Sequence, residues 1–297
     1  MSSPAVAAAV RPSPLAVARD VVALGKPRLA TLVVCTAAGG MWLAPGHRDA
    51  VRAVALLLGT TLVVGAANAL NNWLERQVDG RMHRTRARPL PAGRLDPWVA
   101  LALGLAVPAV ALPALAWFTN GLTATLAALA LFSYVAVYTP LKQKSPLALF
   151  VGAVPGAIPP LMGWTAVTGR IDLPGLALFA VLFFWQLPHF LAVSIYLKDD
   201  YARGGFRVFA LVHGERAAVV ATLVATVLLV PVTLSLVPLG LAGPAYGVAA
   251  AALGGGLVAF AISGLWAEIP VRWARSFFLG TLGYLTLLLA AILIWSR

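Results

Sequence analysis

Asn68, Asn71, Glu75 and Asp79 are three, four and four residues apart, so on a helix they line one face. They belong to the stretch 68–94, NALNNWLERQVDGRMHRTRARPLPAGR, which also holds Asn72 and six arginines. Oxygen ligands stacked beside guanidinium groups suit a divalent cation that holds a phosphate-bearing substrate. Mg2+ fits this chemistry, because it keeps several waters and bridges to substrate phosphates. Glu75 and Asp79 would repel a bare diphosphate, so a cation is needed to join them. The same cation stabilises diphosphate as a leaving group. Arg84 and Arg88, with Arg81 and Arg86, offer planar forks for the remaining phosphate charge. An ordinary basic loop would explain the arginines, but not the aligned oxygen ligands at a helix end.

A second acidic stretch, KDDYARGGF, runs from Lys198 to Phe206. Adjacent Asp199 and Asp200 repel one another unless a cation lies nearby. If the helix before them continues, Trp185, His189, Tyr196, Asp200 and Arg203 share one stripe, with Asp199 on its flank. The stretch then reads as a second metal or diphosphate anchor, with Lys198 and Arg203 supplying charge; a solvated turn is the plainer alternative. Tyr138 and Lys142, four apart in YTPLK, can face one cavity, or the lysine can simply snorkel to the interface. His189, in WQLPHF, lies inside an apolar segment, where histidine is costly without a partner. It could ligate a metal centre, relay a proton or bond a neighbouring helix. His47, His83 and His213 have no metal-ligand spacing.

The elements that must position these groups are membrane helices. The chain has 297 residues, 61% hydrophobic and 11% charged, with a mean hydropathy of +0.89. No soluble domain is this apolar. Segments of about 20 apolar residues, enough to cross the bilayer, fall near 29–45, 51–73, 97–117, 120–139, 146–168, 174–197, 216–237, 242–264 and 275–295. The expectation is an all-α polytopic membrane protein of about nine transmembrane helices around a central lipid-accessible cavity, or eight if the fourth and fifth merge. Residues 1–28 read as a short disordered tail and 29–297 as one transmembrane domain. Glu75 and Asp200 lie in equivalent loops after the second and sixth helices, which suggests two similar four-helix halves plus a ninth helix. Pro188 is expected to kink its helix and re-aim the side chains before it.

Net charge +12 raises the question of nucleic acid, which the placement of the charges answers. Eighteen of the twenty-two Lys and Arg fall on inner segments, leaving Arg48, Arg52, Arg170 and Arg297 outside. The basicity is a positive-inside signal that puts the N-terminus and both acidic stretches in the cytoplasm, with no nucleic-acid partner implied. The tail lacks the compact apolar core of a secretory signal. Cys35, the single cysteine, reads as a buried apolar filler.

At this point the residues resemble the UbiA-type intramembrane prenyltransferases. Asn71, Asn72, Glu75 and Asp79 match the first acidic motif of that family, Tyr138 and Lys142 its Tyr-x-x-x-Lys motif, and Asp199 and Asp200 its second acidic motif. LGKPR at 24–28, VGAVPGAIPPLMGW, WQLPHF and KDDYARGGF extend the resemblance and favour the haem-modifying branch of the family. Two departures stand out: Glu75 replaces the usual aspartate, and Asn72 replaces a frequent acid, which bears on how many Mg2+ ions bind.

The resemblance implies farnesyl transfer from farnesyl diphosphate to a vinyl group of haem B, with water addition, giving haem O and diphosphate. Mg2+ would be held by Asn68, Asn71, Asn72, Glu75, Asp79, Asp199 and Asp200, and diphosphate by Arg84, Arg88, Lys142, Lys198 and Arg203. Tyr138 would stand with the catalytic groups, and His189 and Trp185 would contact haem. Implied partners are the lipid bilayer of the inner membrane and a haem-processing enzyme or terminal oxidase. The alternatives are a prenyltransferase for an aromatic acid or quinone precursor and, from another class, a transporter. Transporters place polar groups near the midplane, whereas here the acidic groups gather at one membrane face.

Overall fold

The computed structural model describes residues 13–47 and 49–296. It consists of helices α1 (Pro14–Leu24), α2 (Pro27–Leu43), α3 (Ala50–Asp79), α4 (Pro97–Phe118) and α5 (Gly121–Phe132). A π-helical segment (Ser133–Tyr138) then leads into α6 (Thr139–Leu141) without a break in the rod. The chain continues through α7 (Ala148–Thr168), α8 (Leu173–Tyr196), α9 (Lys198–Arg203), α10 (Phe209–His213), α11 (Glu215–Leu234), α12 (Pro244–Ser263) and α13 (Pro270–Trp295). Eight of these rods are long and apolar enough to cross a membrane, and α1 with α2, a pair bent by 47°, makes a ninth when counted as one span. All nine expected segments are present. Val110, Val248 and Ile294 point outward on the faces a bilayer would cover.

The boundaries differ most where polar residues continue a helix. α3 runs to Asp79, six residues past the apolar limit at 73. Its 30 residues make a rod of about 45 Å, against roughly 30 Å of hydrocarbon. Its last turns, carrying Asn68 to Asp79, therefore reach the membrane edge. Residues from Pro14 onward are also not the disordered tail expected of 1–28. Pro14–Leu24 is helical, with Leu24 buried in a cluster with Ala69, Leu90 and Ala100, and with Asp20 ion-paired to Arg94 at 3.0 Å. The residues before Ser13 lie outside the described residues, as do Arg48 and Arg297. α8 passes through Pro188 as one helix.

Helices α2 and α7 meet backbone to backbone. A Cβ at Gly40 would lie 2.0 Å from the Pro160 carbonyl oxygen, and one at Gly163 2.0 Å from that of Ala37. Such reciprocal small-residue contacts are how membrane helices gain packing without a hydrophobic driving force. α3 packs on α2 and α4; α8 packs on α7, α11 and α13. Apolar side chains gather in one cluster around Leu56, Leu115 and Met162 and another around Leu178, Leu229 and Phe277. A cavity of about 360 Å³ opens between α2, α7, α8 and α13, lined by Cys35, Thr36, Pro160, Leu182 and Leu289 among others. Cys35 is exposed there, not buried as filler.

The chain has ten carboxylates, and the fold spends most of the remote ones on structure. Asp49, Asp96 and Asp172 accept backbone N–H bonds at helix starts, as N-caps do. Only Glu75, Asp79 and Asp200 are buried among the described residues, and all three sit at one end of the bundle.

Candidate active site

The end of α3 presents two sets of groups. Asn68 Nδ2 donates to the Gly25 carbonyl at 3.1 Å, and Asn72 Nδ2 donates to the Leu24 carbonyl at 3.1 Å. Both amides thus tie α3 to the end of α1 through their Nδ2 groups. Asn71, Glu75 and Asp79 form the other set, all buried. Asn71 Nδ2 donates to Glu75 Oε2 at 3.0 Å and to Thr139 Oγ1 at 3.2 Å. Its Oδ1 accepts from Lys26 Nζ at 2.9 Å. Lys142 Nζ pairs with Glu75 Oε1 at 2.5 Å, and Arg88 Nη1 with Asp79 Oδ2 at 2.7 Å.

The π-helical turn explains how Lys142 arrives there. A wider turn inserts one residue into the helical register, and such turns are frequent at functional sites. Thr139 closes it, its hydroxyl donating to the Tyr134 carbonyl at 2.8 Å. Tyr138 lies 5.5 Å from Tyr134, centroid to centroid, and the Lys142 ammonium stands 5.2 Å from the Tyr138 ring and 5.1 Å from Phe206. Those separations suit cation–π attraction.

Asp199 and Asp200 do not join this set. α8 ends at Tyr196, Leu197 takes φ −107° and ψ 21°, and α9 starts afresh, so the single stripe through residue 203 is broken. Asp199 is exposed. Asp200 accepts backbone N–H bonds from His83 at 2.8 Å and Arg84 at 3.3 Å and pairs with Arg203 at 2.8 Å. Burial alone would raise the Asp200 carboxyl, but Arg203 and the two amides outweigh it and hold it below the usual range. Its oxygens clasp the 80–95 loop onto α9. Arg203 takes part in that clasp, and Lys198 is paired with Glu215 at 2.7 Å. Arg84 is exposed, its guanidinium 6.0 Å from the Tyr201 ring.

The residues fit a hard cation. Asn71, Glu75 and Asp79 offer only oxygen at their metal-facing groups. Glu75 Oε1 is buried, makes no hydrogen bond and meets the Lys142 ammonium as an ion pair, so a cation already stands against it. Among the described residues no three His, Cys, Asp or Glu side chains converge as a complete metal cage. Mg2+ takes few protein ligands and completes its shell with water and phosphate.

Deeper in the bundle, Trp185 and His189 stack at 4.8 Å, and Phe278 of α13 lies 4.7 Å from His189. Trp185 Nε1 donates to the Thr281 carbonyl at 2.8 Å, while His189 Nδ1 and Thr281 Oγ1 are 2.8 Å apart. His189 precedes the end of α8 at Tyr196 by seven residues, about 10 Å along the axis. Reasoning from the sequence missed Lys26, Thr139, Tyr134 and Thr281. Only Lys26 carried a local signal, the Lys-Pro pair at the start of the first span.

Residues 32–293 match the UbiA prenyltransferase family. A protoheme IX farnesyltransferase of Anaeromyxobacter sp. (strain Fw109-5) is 61% identical over 297 residues, covering 100% of both chains. Among solved structures, a digeranylgeranylglyceryl phosphate synthase superposes with a TM-score of 0.80 at 15% identity, over 94% of this chain and 98% of that one. A UbiA homologue from Archaeoglobus fulgidus, bound to DMAPP and Mg2+, gives a TM-score of 0.65 at 14% identity, over 93% and 99%.

Proposed function

The chain belongs to the UbiA prenyltransferase family, and we infer that it transfers a farnesyl group from farnesyl diphosphate to a vinyl group of protoheme IX, haem B. The full-length identity to a protoheme IX farnesyltransferase carries this reading. The C1–O bond of farnesyl diphosphate breaks with both electrons leaving on diphosphate, which gives an allylic cation. The vinyl terminal carbon attacks C1 to form a C–C bond. Water adds to the adjacent carbon and loses a proton, completing haem O.

The geometry supports the following roles. Asn71, Glu75 and Asp79 would hold Mg2+, which supplies Lewis-acid charge withdrawal from the diphosphate. The archaeal homologue, bound to DMAPP and Mg2+, supports a divalent metal in this reaction. Arg88 and Lys142 bind the departing diphosphate, exchanging their present carboxylate partners for its oxygens. Arg84 is held close by the Asp200 clasp, so Asp200 serves as a positioning residue. Tyr138, and Tyr134 beside it, present ring faces where positive charge develops.

The apolar chain of the donor lies along α2 toward the cavity that begins at Cys35, eight residues from Pro27, about 12 Å along the helix. His189 and Trp185 contact haem. Nδ1 of His189 is taken by Thr281, which presents Nε2 to iron or a propionate. The basic loops gather on the face that carries the site, which supports a cytoplasmic orientation of that face by the positive-inside rule. The haem product then passes to a haem-processing enzyme or terminal oxidase. Pigment extracted from membranes expressing the protein tests the reading. A haem of increased mass that depends on farnesyl diphosphate and Mg2+ is expected; haem B alone, with both substrates present, would overturn it.

A further inference from the structure

Lys26 is the single non-glycine residue with positive φ among the described residues, at φ 50° and ψ 62°. It also precedes Pro27, and the residue before proline is pushed toward extended conformations. A left-handed lysine there is strained twice over. The neighbouring Gly25 could adopt that conformation freely, yet it takes an ordinary φ of −70° and ψ of −9°. The bend between α1 and α2 therefore falls on the residue least suited to make it. What the strain gains is a side-chain direction: the Lys26 ammonium is turned into the site, 2.9 Å from Asn71 Oδ1.

Its partner there is a neutral amide. Arg88 is cancelled by Asp79 and Lys142 by Glu75, but Lys26 faces no carboxylate in an ion pair among the described residues. A half-buried cation with only a neutral partner is costly. It also gives the site its surplus positive charge, since the other two cations and two carboxylates sum to zero. An anionic ligand is the group that relieves this cost.

Resting on the prenyl-transfer reading above, we propose that Lys26 is a further diphosphate-binding residue, its ammonium donating to the diphosphate beside Arg88 and Lys142. The binding of inorganic diphosphate with Mg2+ to the purified full-length protein tests it, read in wild type, Lys26→Met, Lys26→Gly and Lys26→Arg, with thermal midpoints alongside. Lys26→Met and Lys26→Gly weaken binding about tenfold or more, as loss of a charge-assisted contact does, whereas Lys26→Arg stays within a few-fold. Lys26→Gly relieves the backbone, so its midpoint does not fall. Wild-type affinity in both Lys26→Met and Lys26→Gly would overturn the proposal and leave the prenyl-transfer reading standing. If the variants weaken diphosphate binding but no farnesylated haem forms, the acceptor assignment falls and Lys26 keeps its role. A wild type that does not bind diphosphate overturns both.

Discussion

The Thr281 hydroxyl stands between His189 Nδ1, at 2.8 Å, and the Phe278 carbonyl, at 2.7 Å. With its one proton on the Phe278 carbonyl, it accepts from His189 Nδ1. In that arrangement Nδ1 carries the ring proton and Nε2 the lone pair, the form in which imidazole ligates a metal. Thr281→Val keeps the shape and removes the acceptor. Haem affinity should fall about tenfold, as when such an orienting partner is lost, while Thr281→Ser retains it. An absorbance titration reads both. His189→Ala should remove the haem shift altogether; an unchanged spectrum would take the histidine out of the haem site.

Asp79→Asn keeps the side-chain shape but gives up the anion that Mg2+ needs. Turnover should drop by about 100-fold or more, comparable to losing a key electrostatic group. The fold should survive, because Arg88 is 27% exposed and can turn to water. Mg2+-dependent rates measured alongside thermal midpoints decide this, and retained Mg2+-dependent turnover would exclude Asp79 as a ligand.

Asp200→Ala should free the amide protons of His83 and Arg84, which then exchange faster than their neighbours in the 80–95 loop. The half-saturating Mg2+ concentration should stay put, since Asp200 clasps a loop. A shifted Mg2+ requirement with unchanged exchange would reverse that assignment. The pH dependence follows from the depressed carboxyl. A group bound more weakly by protons when folded adds stability above its unfolded value, near 3.9, and loses it as pH falls through the folded value. Exchange at these amides should thus be insensitive to protonation of Asp200 near neutrality. In acid their protection, taken relative to the intrinsic rate at each pH, should fall.

Gly40→Ala and Gly163→Ala each push a methyl into a backbone carbonyl of the facing helix, which no rotamer change relieves. Each should cost about 1–3 kcal/mol as overpacking. A lowered thermal midpoint is expected for both, with unchanged turnover per folded molecule for Gly163→Ala, since Gly163 lies neither at the polar end nor on the cavity that Gly40 lines. A midpoint equal to wild type would mean that α2 and α7 part easily.

Much of the architecture was legible because apolar length and the positive-inside bias are carried by many residues at once. Asn71, Glu75 and Asp79 were legible for another reason: one helix holds them, so spacing alone aligns them. Spacing shows less where contacts cross between elements. Lys198 adjoins Asp199 in sequence, but it pairs with Glu215, seventeen residues on. The stripe through Asp200 assumed an unbroken helix, and Leu197 breaks it. Lys26 meets Asn71 across 45 residues, a pairing no local pattern announces. The π turn at Ser133–Tyr138 leaves no signature in the apolar period either, since SYVAVY is acceptable to any helix.

The pairing of Glu75 with Lys142 and Asp79 with Arg88 makes the site an ion exchanger. Its counter-ions are built in, so ligand uptake swaps one set of ionic partners for another of equal sign. Affinity then reflects a difference between two competing sets, and holding the resting set less firmly shifts the exchange toward the incoming anion. Weakening a resting pair while sparing the cation should tighten the grip on diphosphate, the reverse of what deleting a contact normally does.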